Sequence, residues 1–343
     1  MKLLITGGAG FVGARLARTL LQRGHLDGRA ITRIVLADQA VAPADLLADA
    51  RIEGRVGPLL AQVAALHDEA VDGVFHLASA VSGECEADFD LGLRSNLDST
   101  RALLDALRAR QAANISGGAV PAKLVFSSSV AVFGPDDAVA MPAIVTDTTL
   151  PAPQTSYGIQ KLICEHLVAD YTRKGYIDGR AARLMTVTVR PGKPNGAASS
   201  FFSGIIREPL AGALSVCPVD AGVSHPVSSP TRTVEGLIAV FEASREAFNG
   251  RTALNLPALN VRVADMLAAL EQVAGKAVRS LVRFERDTRI AGIVANWPSG
   301  ASAARAGKLG LQPHADFAEI IRQYIDDCAA GPSADLTLKS LAS

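Results

Sequence analysis

Tyr157-Gly158-Ile159-Gln160-Lys161 sets a phenol and an ammonium group four positions apart. On a helix this spacing puts both side chains on one face, one turn apart. A phenol is a poor base at neutral pH, because its unperturbed pKa is about 10. A neighbouring cation stabilises the phenolate and lowers that value. Such a pair can exchange a proton with a substrate hydroxyl. The same spacing is common on solvated helices, so its weight depends on what else the chain provides. The second candidate is Thr6-Gly7-Gly8-Ala9-Gly10-Phe11-Val12-Gly13. Gly7 permits a sharp reversal, Gly10 lets a pyrophosphate approach the backbone, and Gly13 lets a helix pack closely. The helix start offers free N–H groups and a positive dipole end to phosphates. Asp38, at the end of Arg33-Ile34-Val35-Leu36-Ala37, can accept hydrogen bonds from adenosine ribose hydroxyls. Its charge repels the 2′-phosphate of NADP, so the expected cofactor is NAD.

These groups need elements to position them. Leu3-Leu4-Ile5 reads as a buried strand, and Phe11, Val12, Leu16, Ala17, Leu20 and Leu21 recur at helical spacing after the turn. Val74 to Ser79 is a further strand, in which His76 reads as a packed histidine with one hydrogen bond. A helix over Leu91 to Gln111 carries Asn96. Lys123 to Phe126 is a strand ending in Ser127-Ser128-Ser129. Ser156 or Thr155 caps the helix that carries Tyr157 to about Lys174. Thr186 to Arg190 is a last strand, stopped by Pro191-Gly192-Lys193-Pro194-Asn195-Gly196. The fold class expected is α/β: a Rossmann-type, doubly wound parallel sheet over residues 1–190. A smaller, mixed α/β substrate region follows over 191–330, some of it free to return to the sheet, and 331–343 is expected to be a mobile tail.

With 343 residues, 49% of them hydrophobic, the chain can bury a large core. Its formal net charge of zero gives no global field for nucleic acid or anionic membrane. Cys85, Cys164, Cys217 and Cys328 are too widely spaced for a zinc site or disulfide framework, and no metal is expected. The first apolar run breaks at Gly7-Gly8, too soon for a signal peptide, and no stretch is long enough to span a bilayer. A cytoplasmic protein is the expectation.

Taken together, the glycine turn, His76-Leu77-Ala78-Ser79, the serine strand before Val132-Phe133-Gly134, and the Tyr157/Lys161 pair resemble the extended short-chain dehydrogenase/reductases, also called the NAD-dependent epimerase/dehydratase family. The resemblance is specific over residues 1 to about 196. It implies that Tyr157 is the acid/base, that Lys161 tunes it and holds the nicotinamide ribose, and that Ser129 orients the reacting oxygen. It also implies cofactor contacts from Gly7, Gly10, Phe11, Val12, Gly13, Asp38, Leu77, Ala78, Ser79, Asn96, Ser127, Tyr157, Lys161 and Pro191. A homodimer is implied, paired through helices like those carrying Asn96 and Tyr157.

Departures narrow the activity. The family's sugar dehydratases place an Asp-Glu pair where this chain has Val130-Ala131, which move no proton. Its nucleotide-sugar epimerases hold phosphate with an arginine where this chain aligns His225. The stretches Arg190 to Leu210 and His225-Pro226-Val227-Ser228-Ser229-Pro230-Thr231-Arg232 resemble the D-erythronate dehydrogenases of the family, which oxidise the C2 hydroxyl of a four-carbon sugar acid with NAD. A sugar acid needs a cation for its carboxylate and polar partners for its hydroxyls. Lys193, Arg207 and Arg232 are candidate cations, with Ser82, Ser129, Asn195 and Ser200 as polar partners. A nucleotide-sugar epimerase with tightly held NAD is the alternative enzyme, and a dinucleotide sensor the alternative outside enzymes.

Overall fold

The computed structural model describes residues 1–63, 70–114, 120–192, 197–331 and 334–341. Its main strands are β1 (Lys2–Thr6), β2 (Arg33–Asp38), β3 (Ile52–Val56), β4 (Gly73–His76), β5 (Lys123–Ser129), β6 (Asp178–Leu184), β7 (Thr186–Val187), β8 (Ser224–Ser228), β9 (Leu254–Asn255) and β10 (Leu259–Arg262). Seven of them form one parallel sheet in the order β9-β6-β5-β4-β1-β2-β3. The order reverses between β1 and β4, and a crevice opens there at the carboxyl ends of the strands. The central strands are apolar on both faces, as a sheet covered on both sides requires: Leu3, Leu4, Ile5, Val74, Phe75, Leu124 and Val125 are all buried. A second, three-stranded sheet has the order β7-β8-β10, with β7 parallel and β10 antiparallel to β8.

The principal helices are α1 (Phe11–Arg23), α2 (Ser99–Asn114), α3 (Ser156–Arg173), α4 (Ser200–Leu210), α5 (Pro230–Glu242), α6 (Val263–Arg279), α7 (Thr288–Ala295) and α8 (Phe317–Ala329). Helix α1 ends at Gly24, whose φ of 68° is left-handed and lets its N–H reach the Leu20 carbonyl. Thr155 is the cap of α3, its hydroxyl accepting from the Gly158 N–H at 3.1 Å. The single helix expected over Leu91 to Gln111 is instead α2 preceded by a π-helical turn at Leu93–Asp98.

Among the described residues four hydrophobic clusters form, and two of them frame the two halves of the molecule. In one, α1 and α5 cover a face of the parallel sheet, with Phe241 stacked on Phe75 at 5.0 Å between ring centroids. This core draws on Val234, Leu237, Phe248, Leu254 and Ala306, so several stretches beyond residue 190 return to the sheet. The other core is built from α4, α6 and α8, through Phe202, Ile206, Met266, Leu270, Phe317 and Ile321. The described part of the tail docks on α4, where the Ser340 hydroxyl donates to the Pro209 carbonyl at 2.8 Å. Among the described residues no helix is long and apolar enough to cross a membrane.

Candidate active site

The glycine turn is a cradle from which side chains are excluded. Gly7 has a φ of +71°, and a Cβ there would stand 2.8 Å from the Ala78 nitrogen. A Cβ on Gly13 would lie 2.1 Å from the Gly7 carbonyl oxygen, so α1 can start this close to the turn only with glycine. The first N–H groups of α1 have no partner within the helix and are available to an anion. Asp38 closes the crevice, its carboxylate accepting from Ala9 N–H at 2.9 Å and Ala40 N–H at 3.1 Å. A pyrophosphate at the helix start and a ribose at the end of β2 fit these donors and acceptors, as NAD requires.

A relay of small polar groups holds the turn to the neighbouring strand. Thr6 Oγ1 accepts from the Leu77 and Ala78 N–H groups, both at 3.2 Å, which leaves its proton for His76 Nδ1 at 2.6 Å. His76 Nε2 in turn faces Thr100 Oγ1 at 2.8 Å, and that hydroxyl donates to the Asn96 carbonyl. His76 therefore has two partners, not one. It is fully buried, and burial with the nearby Lys161 charge brings its pKa down to about 3.

Past this framework lies a cavity of about 270 Å³ whose walls include Ser129, Tyr157 and Lys161. Tyr157 and Lys161 come from α3, and Ser129 from the end of β5. The Lys161 ammonium donates to the Ser127 carbonyl at 2.8 Å and sits 5.6 Å from the centroid of the Tyr157 ring. Burial lowers the Lys161 pKa to about 8. Burial pushes the Tyr157 phenol above its ordinary value; the Ser129 hydroxyl, the Arg190 guanidinium and the Ser79 hydroxyl pull the other way. Desolvation dominates the phenol, and the cation that acts on it is Arg190 rather than the Lys161 expected from the spacing.

The remaining expected residues divide. Phe11, Val12, Leu77, Ser79, Ser82 and Ser127 line the same cavity. Ser82, Ser200 and Arg207 line an adjoining cavity of about 810 Å³. Arg207 is committed there: it donates to the Arg190 carbonyl and pairs with Glu208. Asn96, expected as a direct cofactor contact, is 3% exposed and its amide is spent on protein. It accepts from Ala80 N–H and the Ser79 hydroxyl and donates to Gln160, so it positions the loop after β4. Pro191 is exposed and lines neither cavity. Arg232 is also off the site: it pairs with Glu235 one turn along α5, on the surface. Lys193 and Asn195 lie outside the described residues.

Arg190, Thr186, His225 and Trp297 line the first cavity, and the sequence reading gave none of them a substrate role. Arg190 is anchored by bonds to the Val187 carbonyl and the Ser199 hydroxyl. Among the described residues, the cavity holding Tyr157 has no carboxylate in its walls. Val130 and Ala131 stand in it without the acid/base groups that removal of water needs.

Known proteins resemble the chain over nearly its whole length. Residues 3–223 match the NAD dependent epimerase/dehydratase family. A D-erythronate dehydrogenase of Cupriavidus necator is 48% identical, over 95% of this chain and 98% of its own length. A second D-erythronate dehydrogenase, from Haemophilus influenzae, is 38% identical over 95% of this chain and 99% of its own. A solved structure described as a nucleoside-diphosphate-sugar epimerase from Agrobacterium tumefaciens superposes with a TM-score of 0.88 at 40% identity, covering 95% of this chain and 94% of that one. With its glycine cradle, strand-end aspartate and Ser/Tyr/Lys cavity, the chain belongs to the NAD-dependent epimerase/dehydratase family.

Proposed function

We propose that the chain oxidises the C2 hydroxyl of a small sugar acid, D-erythronate in the first instance, to the 2-oxo acid. The observation that carries this reading is the pairing of Tyr157, Ser129 and Lys161 with Arg190 in a cavity that has no carboxylate among its described residues. When bound, NAD supplies the hydride acceptor at C2. Tyr157 takes the C2 hydroxyl proton from its phenolate form, which burial disfavours and which Ser129, Arg190 and Ser79 favour, and Ser129 holds the same oxygen. Lys161 supplies positive charge beside the phenolate while protonated, below about pH 8. The substrate carboxylate is bonded directly to C2, so its cation must stand beside the phenol. Arg190 acts electrostatically on Tyr157, and its planar fork suits a carboxylate. The reading carries a homodimer as well, supported by Ile159 and Ile163, which stand exposed on the outer face of α3. The unpaired cysteines suit a reducing cytoplasm.

The test mixes purified protein, NAD and D-erythronate and follows NADH absorbance, with light scattering on the same preparation to read a dimer or a monomer. Turnover is expected, and Tyr157→Phe should lower it by about 10²–10⁴-fold while NAD still binds. The epimerase reading is supported by the description of the Agrobacterium structure. Interconversion of a UDP-sugar without net NADH, and no turnover of the acid, would establish it instead.

A further inference from the structure

His225 lies on β8 in the wall of the cavity that holds Tyr157, yet the hydride transfer described above leaves it unused. It is 1% exposed. Its ring stacks on Phe202 at 5.0 Å with 9° between planes, and Trp297 covers it at 5.1 Å. Strand β7 pairs alongside β8, which brings Thr186 Oγ1 to 2.7 Å from His225 Nε2. The other nitrogen, Nδ1, is buried and closes no hydrogen bond, and among the described residues the Pro298 backbone is the one group that favours a proton on the ring. Burial brings the imidazole pKa down to about 3, so the ring is neutral throughout the physiological range. A neutral ring cannot hold an anion by charge. It has one N–H and one lone pair to dispose of. With the proton on Nδ1, Nε2 has the lone pair and takes the Thr186 hydroxyl proton. Thr186 Oγ1 then keeps its own lone pairs for the cavity that it lines.

We propose that Thr186, oriented by His225, reads a substrate hydroxyl beyond the reacting carbon and so selects polyhydroxy acids over their deoxy counterparts. The proposal rests on the sugar-acid reading above. A buried acceptor left unpaired by a deoxy substrate is costly, and sites built to bond a hydroxyl reject analogues lacking it more strongly than apolar pockets reject an added group. His225 is a positioning residue in this scheme, and Thr186 makes the contact.

The experiment compares kcat/KM for D-erythronate with that for (R)-2-hydroxybutanoate, the same carbon chain without the distal hydroxyls. Wild type should prefer D-erythronate. Thr186→Val should lower kcat/KM for D-erythronate by about 10–100-fold and leave the deoxy acid within about threefold. Thr186→Ser, which restores the hydroxyl, should keep the preference. His225→Phe retains the stacking surface but removes Nε2, and should weaken the preference in the same direction. Equal losses on both acids in Thr186→Val, or an unchanged preference, overturn the proposal while leaving the dehydrogenase reading intact. A wild type that turns over both acids equally does the same. A wild type that turns over neither acid removes the dehydrogenase reading and this inference with it.

Discussion

At the residue scale, the three glycines of the first turn differ in what excludes a side chain. A Cβ on Gly13 meets backbone atoms of Gly7 and Gly8, so Gly13→Ala must open the turn. A Cβ on Gly10 meets only the Gly7 carbonyl oxygen, at 3.3 Å, within reach of a small adjustment. What excludes a methyl at Gly10 is therefore the pyrophosphate. Gly10→Ala should cost about 1 kcal/mol of stability, the usual penalty for alanine at an N-cap, yet weaken NAD binding at least tenfold. Gly13→Ala should lose about 1–3 kcal/mol of stability together with binding, as overpacked sites do. Urea denaturation and NAD titration separate the two variants, and unaltered NAD affinity in Gly10→Ala would sink the assignment. This part of the site was legible in the sequence because strand, turn and helix are contiguous there. Arg190 was not, because nothing in its local spacing reveals a guanidinium turned toward a phenol more than thirty positions upstream.

At the element scale, catalytic geometry depends on how α3 seats against β5 and β6. A Cβ on Gly158 would stand 2.2 Å from the Ala131 carbonyl oxygen, so the helix start rests against the turn that follows Ser129. One turn beyond Lys161, Glu165 locks the same helix to both strands. It accepts from the Ser128 hydroxyl at 2.5 Å and holds Arg183 of β6 by two bonds of 2.8 Å, with both members of the pair 5% exposed. Removing one partner of a buried pair leaves an uncompensated charge, at a cost of about 3–5 kcal/mol. Glu165→Gln should show a loss of that order by chemical denaturation, and unchanged stability would mean the pair is not closed in solution. The helix and its threonine cap could be read from local sequence. The ion pair could not, since with Ser128 it joins three elements, and neither could the π-helical turn, in which the Asn96 side chain and carbonyl are both bonded to neighbours.

At the scale of the whole molecule, two buried histidines tie acid stability to the site. Both His76, in the parallel sheet, and His225, in the small one, titrate at about 3 through burial, against an ordinary value of 6.5. The unfolded chain takes up a proton at each of them below pH 6.5, and the folded chain does not until about pH 3. Stability is therefore lost as pH falls through that window, by up to about 1.4 kcal/mol per pH unit for each histidine. Exposed carboxylates add their own losses only lower, near and below their usual range. The interval from pH 6.5 to 5 thus isolates the imidazoles. His225 contacts Phe202 of the second core and Trp297 at the cavity, whereas His76 braces the glycine turn, so the losses come from opposite sides of the crevice. His225→Phe preserves the stack and removes one titrating group, so it should reduce the fall in unfolding free energy between pH 6.5 and 5 by about half of what the two histidines contribute. Urea melts of wild type and variant at the two pH values measure this directly. Parallel losses in both proteins would show that the His225 ring is accessible to protons in the folded state, and would remove the neutral imidazole on which the Thr186 contact depends.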